Sequence, residues 1–132
     1  MSEASVEILR ATIAASNRGE WEEAAQYLHP EVEYHTYARS PEAGVYKGRE
    51  AVVEYIQTLF EGFEKVEHGV NEVIAAGDRV VLVLDQRMWP RGSSEPVEQL
   101  VAELWTIRDG LLAERHSFSS KAEALEAAGL SE

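Results

Sequence analysis

The chain has 132 residues, of which 45% are hydrophobic and 27% charged, with no cysteine and a net charge of −12. This length fits one domain over residues 1–132 with a real core, and the lack of cysteine excludes disulfides, thiolate nucleophiles and cysteine metal sites. The acidic balance argues against nucleic acid and anionic membrane surfaces as partners. The longest apolar run, Val80 to Leu84, is the size of a strand and far short of the ~20 residues of a spanning helix.

Residues 3–18 read as a helix, because Ile8, Leu9, Thr12, Ile13 and Ser16 recur on one side at helical spacing. Gly19 suits a left-handed cap at its end. A second helix is expected over 20–28, with Trp21, Ala24, Ala25 and Leu28 on one face and His29-Pro30 as its stop. Residues 32–37 alternate and read as a strand. Residues 38–48, with Ser40-Pro41, Gly44 and Gly48, read as a loop. A third helix starts near Arg49, with apolar Val52, Tyr55, Ile56, Leu59, Phe60 and Phe63 at spacings of three and four and Gly62 as an early end.

From residue 66 the period becomes two. Strands are expected over 66–75, 79–88, 97–107 and 111–118, separated by a turn at 76–78, a loop at 90–96 and a hairpin turn at Asp109-Gly110. A short helix over 121–128 ends at Gly129. Helices first and adjacent strands afterwards indicate an α+β fold, with helices on one side of a curved antiparallel sheet. The N-terminus lacks the basic start and apolar core of a secretory leader, so a cytoplasmic location is expected.

A two-residue turn at Asp109-Gly110 sets a regular ladder in which Trp105 faces Glu114, Glu103 faces His116 and Val101 faces Phe118. Side chains alternate, so all of these share one face, taken as the concave one. Directly opposed side chains stand ~5 Å apart at Cβ, within reach for a carboxylate and an imidazole. Such a pair can move a proton, with Glu103 as base or as the group orienting His116. The alternative is a cross-strand ion pair that only satisfies two polar groups.

Asp85 ends the apolar run and lies two residues from Arg87, hence on the same face of its strand. Asp85 is a further candidate catalytic acid, with Arg87 as its partner and a ligand contact. Tyr34 and Tyr55 can offer a hydroxyl and an aromatic face to a ligand, and Trp105 and Phe118 would form apolar walls. His35, His116, Glu103 and Asp85 have the side-chain types of a metal centre, yet no short-range spacing supports one, and no metal is expected. His29 and His68 read as peripheral. There is no nucleophile elbow, phosphate loop or dinucleotide glycine fingerprint.

The order of motifs is informative as a whole. Asn17-Arg18-Gly19-Glu20-Trp21 leads to His29-Pro30-Glu31-Val32-Glu33-Tyr34, then Gly44-Val45-Tyr46-Lys47-Gly48-Arg49-Glu50-Ala51-Val52. Ala76-Gly77-Asp78-Arg79-Val80-Val81, Leu104-Trp105-Thr106-Ile107-Arg108-Asp109-Gly110 and Glu123-Ala124-Leu125-Glu126-Ala127-Ala128-Gly129-Leu130 follow. This resembles a SnoaL-like protein of the nuclear-transport-factor-2-like superfamily over nearly the whole chain. The resemblance implies a cone of three N-terminal helices over a strongly bent sheet, often paired as a homodimer. It also implies a small hydrophobic, oxygenated ligand and chemistry without a cofactor, since members include polyketide cyclases, ketosteroid isomerases, epoxide hydrolases, dehydratases and non-catalytic binding domains. Sharing a fold does not choose among them. The cyclases carry an aspartate base on or just after the last strand, where this chain has Ser117-Phe118-Ser119-Ser120. The epoxide hydrolases use an aspartate–arginine–aspartate set. Asp85 and Arg87 are similar but in reversed order, and Glu103 or Glu114 would stand for the second aspartate. The expected function is an acid/base isomerase, cyclase, dehydratase or hydrolase, with a non-catalytic binding or dimerisation module as the alternative.

Overall fold

The first helix, α1 (Glu3–Asn17), forms on the stripe that the sequence marks, and Leu9 is buried at its centre. Two polar residues share that stripe without leaving a polar group unpaired. Thr12 Oγ1 donates to the Ile8 carbonyl at 2.7 Å and Ser16 Oγ to the Thr12 carbonyl at 2.9 Å. Gly19 takes φ +72°, and the Glu20 amide turns back to the Ala15 carbonyl, closing the helix. The structure, a computed structural model, describes residues 3–36 and 44–130. Tyr37, the end of the expected first strand, lies outside the described residues.

The second helix, α2 (Trp21–Gln26), is shorter than expected, because strand β1 (Leu28–His35) already begins at Leu28. Pro30 sits within β1, where its missing N–H would break a ladder. The pairing of β1 with the last strand is irregular at that point, between Leu28 and Glu33. His29, expected to be peripheral, is buried. Its Nε2 lies 3.2 Å from Asp109 Oδ2, tying the start of β1 to the hairpin turn.

Strand β2 (Val45–Lys47) occupies part of the segment read as a loop and pairs with β1 alone. Its three residues are too few to show an alternation among turn residues. Helix α3 (Arg49–Glu61) follows and ends at Gly62, as the sequence suggests. Trp21 of α2 meets Phe60 of α3 edge-on at 5.2 Å. Strands β3 (Lys65–Ala76), β4 (Arg79–Trp89), β5 (Val97–Arg108) and β6 (Leu111–Phe118) then build the main sheet. The last helix, α4 (Lys121–Ala127), is capped by Ser120 Oγ, which accepts from the Glu123 amide.

The six strands of the described residues form one curved sheet in the order β2-β1-β6-β5-β4-β3. All neighbours are antiparallel except β1 and β6, which run parallel. Helices α1 and α3 cover one face, here the inner one, over a core that includes Leu9, Leu28, Val32, Val52, Leu82 and Leu112. Helix α4 covers part of the outer face, packing Ala124, Leu125 and Ala128 on Val81, Ala102 and Leu104. No helix among the described residues is long and apolar enough to cross a membrane.

The expected β5–β6 register holds only near the turn. Asp109 and Gly110 have φ of +57° and +74°, the signs that a tight hairpin turn requires, and Arg108 pairs with Leu111 and Ile107 with Leu112. Ala113 is then an extra residue, a β-bulge, so Thr106 pairs with Glu114, Trp105 with Arg115 and Glu103 with Ser117. One added residue exchanges the faces of everything after it. Arg115 therefore points inward, and Glu114 and His116 point outward. The expected pairing of Glu103 with His116 is corrected: Leu104, not Glu103, is opposite His116.

Candidate functional site

The inner face carries a cavity of about 510 Å³ between the sheet and helices α1 and α3. Its deep part is apolar, with Leu9, Leu82, Leu84 and Trp105 all nearly fully buried. It extends to the exposed residues Gln99, Leu100 and Ser119.

A charge pair stands against this apolar lining. Glu103 is buried on β5, and each of its oxygens is engaged. Oε1 accepts from the Trp105 indole N–H at 3.0 Å, and Oε2 accepts from an Arg115 terminal nitrogen at 3.0 Å. The side chains of Arg115 and Glu103 are only 12% and 8% exposed, so little solvent screens them. The Arg115 guanidinium also lies 4.1 Å above the Tyr34 ring, a cation–π contact. Tyr34 in turn meets Trp105 edge-on at 5.4 Å. Among the described residues, Arg115 Nε is the one buried side-chain nitrogen or oxygen with no hydrogen-bond partner. A buried donor left unpaired is costly unless a ligand or water meets it.

The tyrosine beside it is held neutral. Burial raises the Tyr34 hydroxyl well above its ordinary range; nearby Arg115 opposes the rise, and Glu103 and Tyr55 add to it. Tyr34 is thus a hydrogen-bonding phenol and not a base. Tyr55, on α3, also lines the cavity and stacks on Tyr46 at 4.4 Å.

Across the sheet, a second polar group faces the cavity. His68 lies on β3, and the Gln86 amide donates to its Nε2 at 3.0 Å, while Gln86 Oε1 accepts from Gln99 at 2.6 Å. This chain of amides leaves His68 Nε2 as an acceptor. Burial lowers the His68 pKa, against the pull of Glu103 and with the help of Arg115, so the ring is uncharged at neutral pH. The Asn17 side chain fixes the backbone there, accepting from the His68 N–H at 2.9 Å and donating to its carbonyl at 2.8 Å.

Five of the site residues expected from the sequence thus line the cavity: Glu103, Trp105, Tyr34, Tyr55 and Phe118. Phe118 reaches its lining but also packs against the α4 cluster. Asp85 and Arg87 are not brought to it. They alternate outward on β4, Asp85 is exposed, and Arg87 pairs with Glu98 at 2.9 Å. His116 stands on the outer face, half-exposed, with its Nε2 2.6 Å from Glu114 Oε1. Sequence reasoning missed Arg115, His68, Gln86 and Gln99. His68 alternates with Val66 and Val70, and that period-two spacing was a usable signal for an inward position. Arg115 had no such signal, because its direction depends on the bulge.

The model of the SnoaL-like domain family matches residues 9–115 of this sequence. The chain belongs to the SnoaL-like domain family. Comparison of the sequence with curated proteins finds no match. Solved structures similar to this SnoaL-like chain include TerC co-crystallised with polyporic acid, at 18% identity and TM-score 0.78, covering 96% of this chain and 99% of that one. Bal32a from a soil-derived mobile gene cassette is 20% identical with TM-score 0.80, covering 92% and 93%. RV0760c from Mycobacterium tuberculosis, in complex with estradiol-17beta-hemisuccinate, is 13% identical with TM-score 0.78, covering 91% and 96%. At such identities the likeness is one of fold.

Proposed function

We propose that this SnoaL-like protein binds a small hydrophobic, oxygen-bearing organic molecule in its inner cavity and acts on it by acid/base chemistry without a cofactor. The observation that carries the reading is the buried Arg115–Glu103 pair in the lining of a largely apolar cavity of about 510 Å³. A pocket with mostly apolar walls and a few convergent polar groups is the usual form of a small-molecule site. The two fold relatives crystallised with polyporic acid and with estradiol-17beta-hemisuccinate support the ligand class.

The roles follow from charge balance. Arg115 donates to a carbonyl oxygen of the ligand. Glu103 takes a proton from the carbon beside that carbonyl, and the negative charge moves to the oxygen held by Arg115. Arg115 faces one negative charge before and after the transfer, so the low-dielectric site need not reorganise. Protonating Glu103 displaces one of its two donors, which frees Arg115 for the oxyanion. Tyr34 and neutral His68 supply further polar contacts to the ligand. His116, on the outer face, has no place in this scheme, and neither have Asp85 and Arg87.

One observation favours a second reading, non-catalytic binding: both oxygens of Glu103 are already engaged. Incubation with a steroid ketone that carries hydrogen beside its carbonyl, in heavy water and read by mass spectrometry, separates the two. Bound ligand with deuterium beside a carbonyl, abolished in Glu103→Gln with binding retained, supports chemistry. Bound ligand recovered with no deuterium from the wild type overturns it in favour of binding alone. A homodimer in the cytoplasm completes the proposal, and sedimentation of the purified chain tests the pairing.

A further inference from the structure

We propose that His35, Glu114 and His116, with Glu33 beside His35, form a site for a divalent transition-metal ion, Zn²⁺ or a close relative, on the outer face of the sheet. The site is separate from the cavity and independent of its proposed chemistry. It rests on a repeated pattern that only the fold brings together. Strand β1 carries Glu33-Tyr34-His35 and β6 carries Glu114-Arg115-His116, and the two strands run parallel with Glu33 opposite Glu114 and His35 opposite His116. In each strand the middle residue turns inward, so both carboxylates and both imidazoles stand on the outer face.

Their atoms converge. The nearest nitrogens or oxygens of His35, Glu114 and His116 all lie within 4.8 Å of one another. His35 Nε2 is 3.1 Å from Glu33 Oε1 and 3.7 Å from Glu114 Oε1, while His116 Nε2 is 2.6 Å from that same Glu114 oxygen. The two imidazoles stack nearly parallel, 14° between planes and 4.1 Å between centroids. Ligand atoms bonded to Zn²⁺ at about 2.0–2.2 Å in a tetrahedron are about 3.4 Å apart, close to these separations.

The donor set fits the ion class. Two imidazoles and the Glu114 carboxylate make a two-histidine, one-carboxylate set, and imidazole selects zinc, nickel and copper over magnesium and calcium. Binding needs a free lone pair on each ligating nitrogen, so protons compete with the ion and binding weakens on acidification. All four side chains are between 29% and 40% exposed, which leaves an entry path. Leu104 lies opposite His116 on β5 and Val45 opposite His35 on β2, giving apolar flanks. Glu33 reaches the cluster through His35, at 3.1 Å, and so contributes least.

The test is titration of the chain, free of any histidine tag and stripped with a chelator, with Zn²⁺ by calorimetry and with Cu²⁺ by electron paramagnetic resonance. The expected result is one ion per chain and a copper spectrum with two nitrogen ligands. His35→Ala and His116→Ala each weaken binding at least tenfold and remove one nitrogen from the spectrum, with circular dichroism unchanged. Glu33→Gln has the smallest effect. No saturable binding, or equal binding in the His35→Ala/His116→Ala double variant, overturns the site. Half an ion per chain also overturns it, since the metal would then be held between copies.

Discussion

The two faces of strand β6 hold nearly the same chemistry in opposite environments. Arg115 points inward to Glu103 with both side chains about nine-tenths buried, while Glu114 and His116 point outward, each about 40% exposed. Each face has a carboxylate against a cationic or polar nitrogen at 3.0 Å or less. The difference lies in solvent. Outside, water and salt screen the pair, and its net contribution is small. Inside, the pair has lost its hydration, and each partner depends on the other. A strand whose side chains alternate thus presents two sites that are energetically independent although adjacent in sequence.

The largest expected effect breaks the inner pair. Glu103→Met removes the carboxylate that pairs with Arg115 at 3.0 Å and should cost about 3–5 kcal/mol, seen as a lower midpoint in urea unfolding. Adding Arg115→Met should restore most of that loss, because an apolar pair of similar volume removes the unpaired buried charge. The double variant should still lose ligand binding. Full binding by the double variant would place the ligand away from Arg115.

How far the sequence carries this contrast differs between its parts. The helical stripe of α1, the cap at Gly19 and the positive-φ turn at Asp109-Gly110 are local features, and all were legible. So were Glu103, Trp105, Tyr34 and Tyr55 as lining candidates. The bulge at Ala113 was not, because a period-two reading contains no mark for an inserted residue. That single residue exchanged Arg115 with His116 as the group facing inward. The outer cluster was hidden for another reason. His35 and His116 meet only because β1 and β6 are parallel neighbours, and a pairing across 80 intervening residues leaves no spacing signature.

A smaller effect concerns the other inward base. Burial lowers the His68 pKa below its ordinary value of about 6.5. The unfolded chain then binds more protons than the folded one as pH falls from that value toward the folded pKa. Stability contributed by neutral His68 is complete above the ordinary value and is lost on acidification through this window. Wild type should therefore lose more stability than His68→Gln between about pH 7.5 and about pH 5. Equal losses would mean that the ring charges freely and is not held by the Gln86–Gln99 chain.

The smallest expected effect is on the outer face and sharpens the comparison from the other side. His116→Ala removes the 2.6 Å contact to Glu114 and the stack on His35. Because all three groups keep contact with water, the cost to stability in metal-free buffer should be only about 0.2–1 kcal/mol. A double-mutant cycle of Glu114→Gln with His116→Ala should give a coupling in the same range, well below that of Glu103 with Arg115. Added Zn²⁺ changes the expectation without changing a residue. An ion that binds only the folded chain stabilises it in proportion to the logarithm of its concentration above Kd. The His116→Ala penalty should then grow with zinc in the buffer, while the Glu103→Met penalty stays constant. If both penalties stay constant, the outer cluster is an exposed ion pair and nothing more.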